Sequence, residues 1–277
     1  MDERDEGLFI HEELPFRERV RMPLLLLSVA LLALFGFRLA ARLMPDAYLA
    51  YGVSHLGFLL PLFLLLGYRT DVRIRVCARP LKLSAMLPLF SLLFLAVGGL
   101  SLLGNLFGQV KEAILFKPSM LFFNALLPSV TEELFFRLLC LSLLLPLGRR
   151  SAILLSALLF ATLHTGLIGF LYAFLAGVIL ASVAVVTRSV LCTVAFHLGI
   201  NLSSLLLSAL PSPVSPILFA VLSVLAIAGV LFGRHRILTH FCDAVTDATV
   251  WDRSAVSAVI FSPFGVVLLL FILQFLL

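Results

Sequence analysis

Runs of apolar residues long enough to cross a lipid bilayer recur along almost the whole of this chain. A membrane-spanning helix needs about 20 such residues, because the hydrocarbon core is about 30 Å thick and a helix rises about 1.5 Å per residue. The runs do not alternate apolar with polar, which argues against an outer-membrane barrel, whose strands alternate over about 10 residues. Only a helix satisfies its own backbone hydrogen bonds within one segment in lipid. Composition agrees: 62% of the 277 residues are hydrophobic and 13% are charged, where a soluble domain carries about 25% charged residues. The fold class expected is therefore all-α, a polytopic transmembrane helical bundle of about nine membrane helices.

The apolar runs place those helices at about Pro23 to Met44, Val53 to Tyr68, Leu83 to Leu103, Pro118 to Leu147, Ser151 to Thr165, Leu167 to Val186, Val190 to Leu210, Val214 to Phe232 and Ala258 to Leu277. Pro23 suits a first helical turn, and Pro61 implies a kink or a shallow second span. The stretch 234–257, with Trp251, reads as a connecting loop with a short interfacial helix. Four regions follow: a charged segment 1–22, N-terminal helices 23–117, a polar membrane core 118–210 and C-terminal helices 211–277. No cleavable signal peptide is expected at the start.

The net charge of +5 does not point to nucleic acid, because the basic residues sit in short loops between apolar runs. With the N-terminus in the cytoplasm, Arg69, Arg73, Arg75, Arg79, Lys82, Arg149, Arg150, Arg188, Arg234 and Arg236 fall on the cytoplasmic side. Arg38, Arg42, Lys111 and Lys117 fall on the other, so the positive-inside rule favours this orientation. The short loops suggest a prokaryotic cytoplasmic membrane. The cysteines, Cys77, Cys140, Cys192 and Cys242, form no CxxC pair and read as small hydrophobes.

Three apolar runs carry polar residues that lipid does not tolerate cheaply. The fourth holds Glu132, Glu133 and Arg137, and a central Arg or Asp costs about 2.5–3.5 kcal/mol on insertion scales. Glu133 and Arg137 lie about 40° apart on an α-helical surface and Glu132 about 140° from Arg137. One carboxylate can be neutralised locally while the other points elsewhere. The fifth run ends with Phe160 and His164, and the seventh holds His197 and Asn201, an i,i+4 pair sharing one face. A carboxylate, two imidazoles and a carboxamide can activate a water and stabilise an oxyanion. The same residue types also serve as interhelical hydrogen-bonding glue or as a proton relay. On these boundaries His197 sits nearer the cytoplasmic face than His164. Convergence therefore needs an earlier start of the seventh helix or irregular segments that adjust the depths.

Glu132-Glu133-x-x-x-Arg137, Phe160-x-x-x-His164 and His197-x-x-x-Asn201, in this order on apolar helices, resemble the motif set of the CAAX-protease and bacteriocin-processing family. That family is also called the Abi or type II CAAX prenyl endopeptidase family. The stretch from Gly177 through Thr187-Arg188-Ser189 to His197 is similar to the approach to its last motif. The resemblance covers about residues 118–205 and implies an intramembrane endopeptidase acting on a peptide or protein at the membrane. It implies Glu132 as the general base assisted by His164, with His197 and Asn201 binding the oxyanion. Glu133 and Arg137 would brace the site, and Phe160 would pack its wall. Leu138 stands where family members usually carry glycine. The family has been described both as metalloprotease and as glutamate-dependent. No HExxH is present, and although two histidines and a glutamate can ligate zinc, a site with no metal and no other cofactor is expected. The competing readings are a non-catalytic immunity or scaffold protein on the same fold and a proton-coupled transporter, for which no inverted repeat is visible.

Overall fold

The computed structural model describes residues 16–64, 74, 76, 81–106, 117–211, 214–246 and 253–276. The expected positions Arg69, Arg73, Arg75, Arg79, Cys77, Lys111 and Trp251 lie outside the described residues. The described chain is helical, with no strand. The helices are α1 (Phe16–Arg42), α2 (Ala47–Leu59, continued as a 3₁₀ turn over Leu60–Phe63) and α3 (Leu83–Leu106). They continue as α4 (119–147), α5 (Arg149–Ala161), α6 (Gly166–Thr187), α7 (Val190–Ala209), α8 (Val214–Val245), α9 (Arg253–Ile260) and α10 (Pro263–Leu276). By length and composition, α1, α3, α6, α7 and α8 are each apolar enough to cross a membrane; α2 and α10 are shorter apolar helices.

The bundle is arranged around α4, which touches α1, α2, α5, α6 and α7. Phe135, Phe136 and Arg137 are consecutive and all buried, as is every residue from Leu139 to Leu144. A helix buried on every side must be surrounded by protein, not by lipid. By contrast α8 turns most of its apolar surface outward, with Ile217, Val224, Leu225 and Phe232 exposed.

Close helix contacts are made with small residues, as expected where no hydrophobic driving force separates helix from lipid. A Cβ on Gly177 of α6 would lie 2.9 Å from the Ala157 Cα of α5. Gly229 and Gly233, spaced as GxxxG on α8, face Ser91 and Pro88 of α3. Polar contacts tie the starts of α5 and α3 to the later part of α8. Arg149 donates to the carbonyls of Asp243 and Thr246, and Arg150 to that of Val245, at the end of α8. Cations there also oppose the negative end of the helix dipole. Arg236 donates to the Ser84 carbonyl at the start of α3.

Several boundaries differ from the sequence expectation. Helix α1 starts at Phe16, so Pro23 lies inside it instead of in its first turn. Helix α8 does not end near Phe232 but continues to Val245, where a loop was expected. Gly233, Ile237, His240 and Ala244 are buried along this extension, an i,i+4,i+7 stripe that gives it a packed face. The ninth expected helix is two helices, because Pro263 biases its predecessor away from helical geometry. Ser262 caps the second, accepting from the Gly265 amide at 3.3 Å.

The Gly177 contact yields a test. Gly177→Ala should destabilise the protein by about 1–3 kcal/mol, since the backbone it meets cannot step aside. Gly99→Ala, at a position with open space beside it, should leave the detergent melting temperature unchanged. Equal melting temperatures for the two variants would contradict this account of the α5–α6 contact.

Candidate functional site

Helix α4 is not uniformly α-helical. Residues Leu121–Leu126 and Leu134–Cys140 are π-helical, flanking an α segment over Leu127–Glu133. The Leu141 amide reaches back to the Phe136 carbonyl, the i→i+5 bond that defines the wider turn. Glu132 and Glu133 thus sit at an α-to-π junction, and Arg137 lies within the second π segment. Such bulges occur often at functional sites.

The two glutamates have different surroundings. Glu133 is fully buried, its Oε2 lying 3.2 Å from Arg137 Nε and its Oε1 3.0 Å from His197 Nδ1. Arg137 is likewise fully buried, and its ion pair is close in distance but not aligned as a hydrogen bond. The guanidinium carbon stands 4.9 Å from the centre of the Phe160 ring and 5.9 Å from that of Phe136, so aromatic faces supply part of what water would. The Glu132 side chain retains 18% of its exposure, and its Oε2 lies 4.0 Å from His197 Nε2. Glu133 is therefore locked in a buried ion pair, while Glu132 remains reachable.

A carboxylate only accepts, so the His197 Nδ1 facing Glu133 carries the proton. That leaves Nε2 directed at Glu132. The same logic fixes His164, whose Nδ1 donates to the Phe160 carbonyl at 3.1 Å and leaves Nε2 free. His164 belongs to no helix: it follows the tight turns that end α5, where Leu163 and His164 amides bond the Phe160 and Ala161 carbonyls. Its ring contacts Phe160 and Tyr172, and it lies within electrostatic range of His197. Phe160 also meets His197 at 5.8 Å between ring centres, joining α5 to α7 beneath the polar groups. Asn201 donates through Nδ2 to Ser129 Oγ at 3.1 Å, and Ser129 passes its own proton to the Ala125 carbonyl.

The depth mismatch between His164 and His197 is absorbed by irregularity and not by an earlier start of α7, which begins at Val190 as expected. Helix α5 ends at Ala161, before His164, and Gly166 adopts a positive φ of 71° to start α6. Leu138, in the position where glycine is usual, is half-buried and packs against the apolar core.

The structure also brings in residues that sequence reasoning passed over. His55 of α2 donates through Nδ1 to Thr131 Oγ1 at 2.7 Å, beside Glu132. Tyr51 stacks near His55, bonds the Phe123 carbonyl and lies within electrostatic range of Glu132. Thr193 is buried and donates its hydroxyl to the Val190 carbonyl, and its electrostatic influence reaches Glu133. The signal available for His55 was its position as a histidine in an otherwise apolar run; the others are ordinary residues in helical sequence.

Among the described residues, no three His, Cys, Asp or Glu side chains converge as a metal-binding set. Glu133 and the Nδ1 of His197 are already engaged with each other.

Glu132, Glu133, Arg137, Phe160, His164, His197 and Asn201 lie within a segment that matches a known family, and Tyr51 and His55 lie outside it. Residues 114–203 match the family model described as type II CAAX prenyl endopeptidase Rce1-like. This is the CAAX-protease family that the three motifs resemble. The matched segment runs from before α4 into α7 and leaves α1–α3 and α8–α10 outside it. No curated protein and no solved structure matches the chain.

The Glu133–Arg137 pair gives a stability test. Arg137→Met should cost about 3–5 kcal/mol, because Glu133 would stay buried without its cation. Adding Glu133→Gln should recover much of that loss in detergent melting curves. A double variant no more stable than Arg137→Met alone would show that the two side chains do not act as a pair.

Proposed function

We propose that this multi-pass membrane protein is an intramembrane endopeptidase that hydrolyses a peptide bond with a water activated by Glu132. The observation that carries the reading is the division between the glutamates. Glu133 is sealed between Arg137 and His197, whereas Glu132 is partly exposed and faces His197 Nε2 across a gap of 4.0 Å. That gap exceeds a direct hydrogen bond and suits a small polar group between the two.

In this reading Glu132 takes a proton from water as the water oxygen attacks the substrate carbonyl carbon. His164 Nε2 helps to hold that water, and His197, whose Nε2 faces Glu132, presents that nitrogen to the developing oxyanion. Asn201 commits one amide N–H to Ser129 and offers the other to the same oxygen. Glu132 then passes its proton to the leaving nitrogen. Glu133 and Arg137 set the orientation of His197, and Phe160 supports Arg137 and both histidines. The substrate is a peptide or protein segment reached within the membrane, with no nucleic acid involved. No step is assigned to a metal.

Glu132→Gln keeps size and hydrogen bonding but removes the base. It should abolish cleavage of a quenched-fluorescent peptide library while leaving expression and melting temperature near wild type. Glu133→Gln should mainly lower stability and leave some activity, and wild-type cleavage should survive chelators. A Glu132→Gln protein that cleaves at near wild-type rate would sink the mechanism. A cellular phenotype untouched by this change would favour a scaffold.

The orientation proposed is N-terminus inward in a cytoplasmic membrane. It is supported by the basic residues Arg149 and Arg150, which bind the start of α5 to the end of α8, and Arg236, which binds the start of α3 to α8 nine residues before that end. Cysteines introduced at positions 150 and 235 should resist an impermeant thiol reagent in intact cells and react after permeabilisation. Labelling of either from outside would reverse the orientation.

A further inference from the structure

Helix α1 lies outside the family match, yet it carries a cation close enough to act on Glu132. Leu27, Leu31, Leu34 and Ala41 form the buried stripe of α1, and Arg38 falls on that stripe, i+4 from Leu34. The contact between α1 and α2 is tightest beside it: a Cβ on Gly57 would lie 2.7 Å from Phe37 Cβ and 3.4 Å from Leu34 Cα. Two residues before Gly57, His55 bonds Thr131, the neighbour of Glu132. This chain of contacts brings half-buried Arg38 within electrostatic range of Glu132. Arg38 lies within electrostatic range of His55 and His164 as well. Among the described residues Arg38 has no hydrogen bond and no ion pair, so its donors are uncommitted.

We infer that Arg38 is the electrostatic partner of the tetrahedral intermediate, holding the negative charge that leaves Glu132 when the substrate oxyanion forms. The inference rests on the peptidase reading and adds a residue to it. In the attacking step a water O–H bond breaks and its proton goes to Glu132. The water oxygen bonds to the carbonyl carbon, and the carbonyl π pair moves onto oxygen. One negative charge is thereby transferred from Glu132 to the oxyanion. A cation facing both sees no net change in the charge it must balance, so it needs no reorganisation during the step. When the intermediate collapses, the C=O bond re-forms, the C–N bond breaks, and the Glu132 proton goes to nitrogen. Arg42 is the natural control: it is one turn further on α1, exposed, and carries the same charge.

The test compares wild type, Arg38→Gln, Arg38→Lys and Arg42→Gln on the library peptide cleaved fastest, with melting curves for each. Arg38→Gln should lower kcat about 100-fold with KM changed less than about threefold, the pattern of an interaction made in the transition state. Arg38→Lys should recover part of the rate, and Arg42→Gln should match wild type. The same peptide with a phosphinate replacing the scissile amide, an anionic tetrahedral mimic, should bind Arg38→Gln more weakly by a similar factor. The uncleaved amide peptide should bind both proteins equally. If Arg38→Gln does not fold, Arg38→Lys carries the test, with kcat and phosphinate affinity falling together.

An Arg38→Gln protein with wild-type kcat and phosphinate affinity, beside an inactive Glu132→Gln, would overturn this inference alone. A wild type that cleaves no library peptide would overturn the peptidase reading and this inference with it.

Discussion

Glu133, Arg137 and His197 form a continuous polar chain, 3.2 Å and 3.0 Å long at its two contacts, with the ion pair fully buried inside an apolar bundle. Each charge alone would be expensive there, and even paired charges seldom repay their full desolvation. The surrounding structure is arranged to make the pair tolerable. Helix α4 occupies the centre, so neither charge meets lipid. Phe160 of α5 and Phe136 present ring faces to the guanidinium. Helix α7 must sit in the register that puts His197 against Glu133, which also carries Asn201 to Ser129. A one-turn slip of α7 would break both contacts at once and leave a buried carboxylate without its second partner.

That pair also explains why irregular backbone gathers at one place. In hydrocarbon, non-helical backbone persists only where protein covers it or water reaches it. The π segments of α4 and the non-helical turn at His164 lie around the glutamates. Helices α6, α7 and α8 are regular, α7 included although it carries His197 and Asn201. Helices α6 and α8 make their close contacts through small residues, Gly177 on Ala157 and Gly229–Gly233 on α3. Irregularity at the centre changes the direction of side chains that a straight helix would aim elsewhere.

The helical, polytopic fold was legible in the sequence because bilayer thickness imposes a length on each apolar run. The ion pair of Glu133 with Arg137 was legible for a similar reason: i,i+4 spacing survives small changes in helix winding. Less was legible where tertiary contacts decide. The continuation of α8 beyond Phe232 depends on a stripe from Gly233 to Ala244 that has somewhere to pack, which local polarity conceals. The break before Pro263 was written in the sequence but outweighed by the apolar run on either side. His55, Tyr51 and Arg38 belong to helices far from the motifs along the chain, so only the packing of α1 and α2 against α4 makes them neighbours of Glu132.

Adjacent identical residues in one helix would ordinarily share an environment only if the helix were uniformly surrounded. Here α4 is surrounded, yet not uniformly. One side holds α5 and α7 and closes around Glu133 and Arg137; another faces the polar groups of α1 and α2 and leaves Glu132 partly open. The difference is about 100° of rotation per residue acting on an asymmetric neighbourhood. A sequence with the same motif but a different α1 or α2 would keep the ion pair and change what Glu132 faces. What Glu132 faces is therefore decided by segments outside the family match as well as by the motifs.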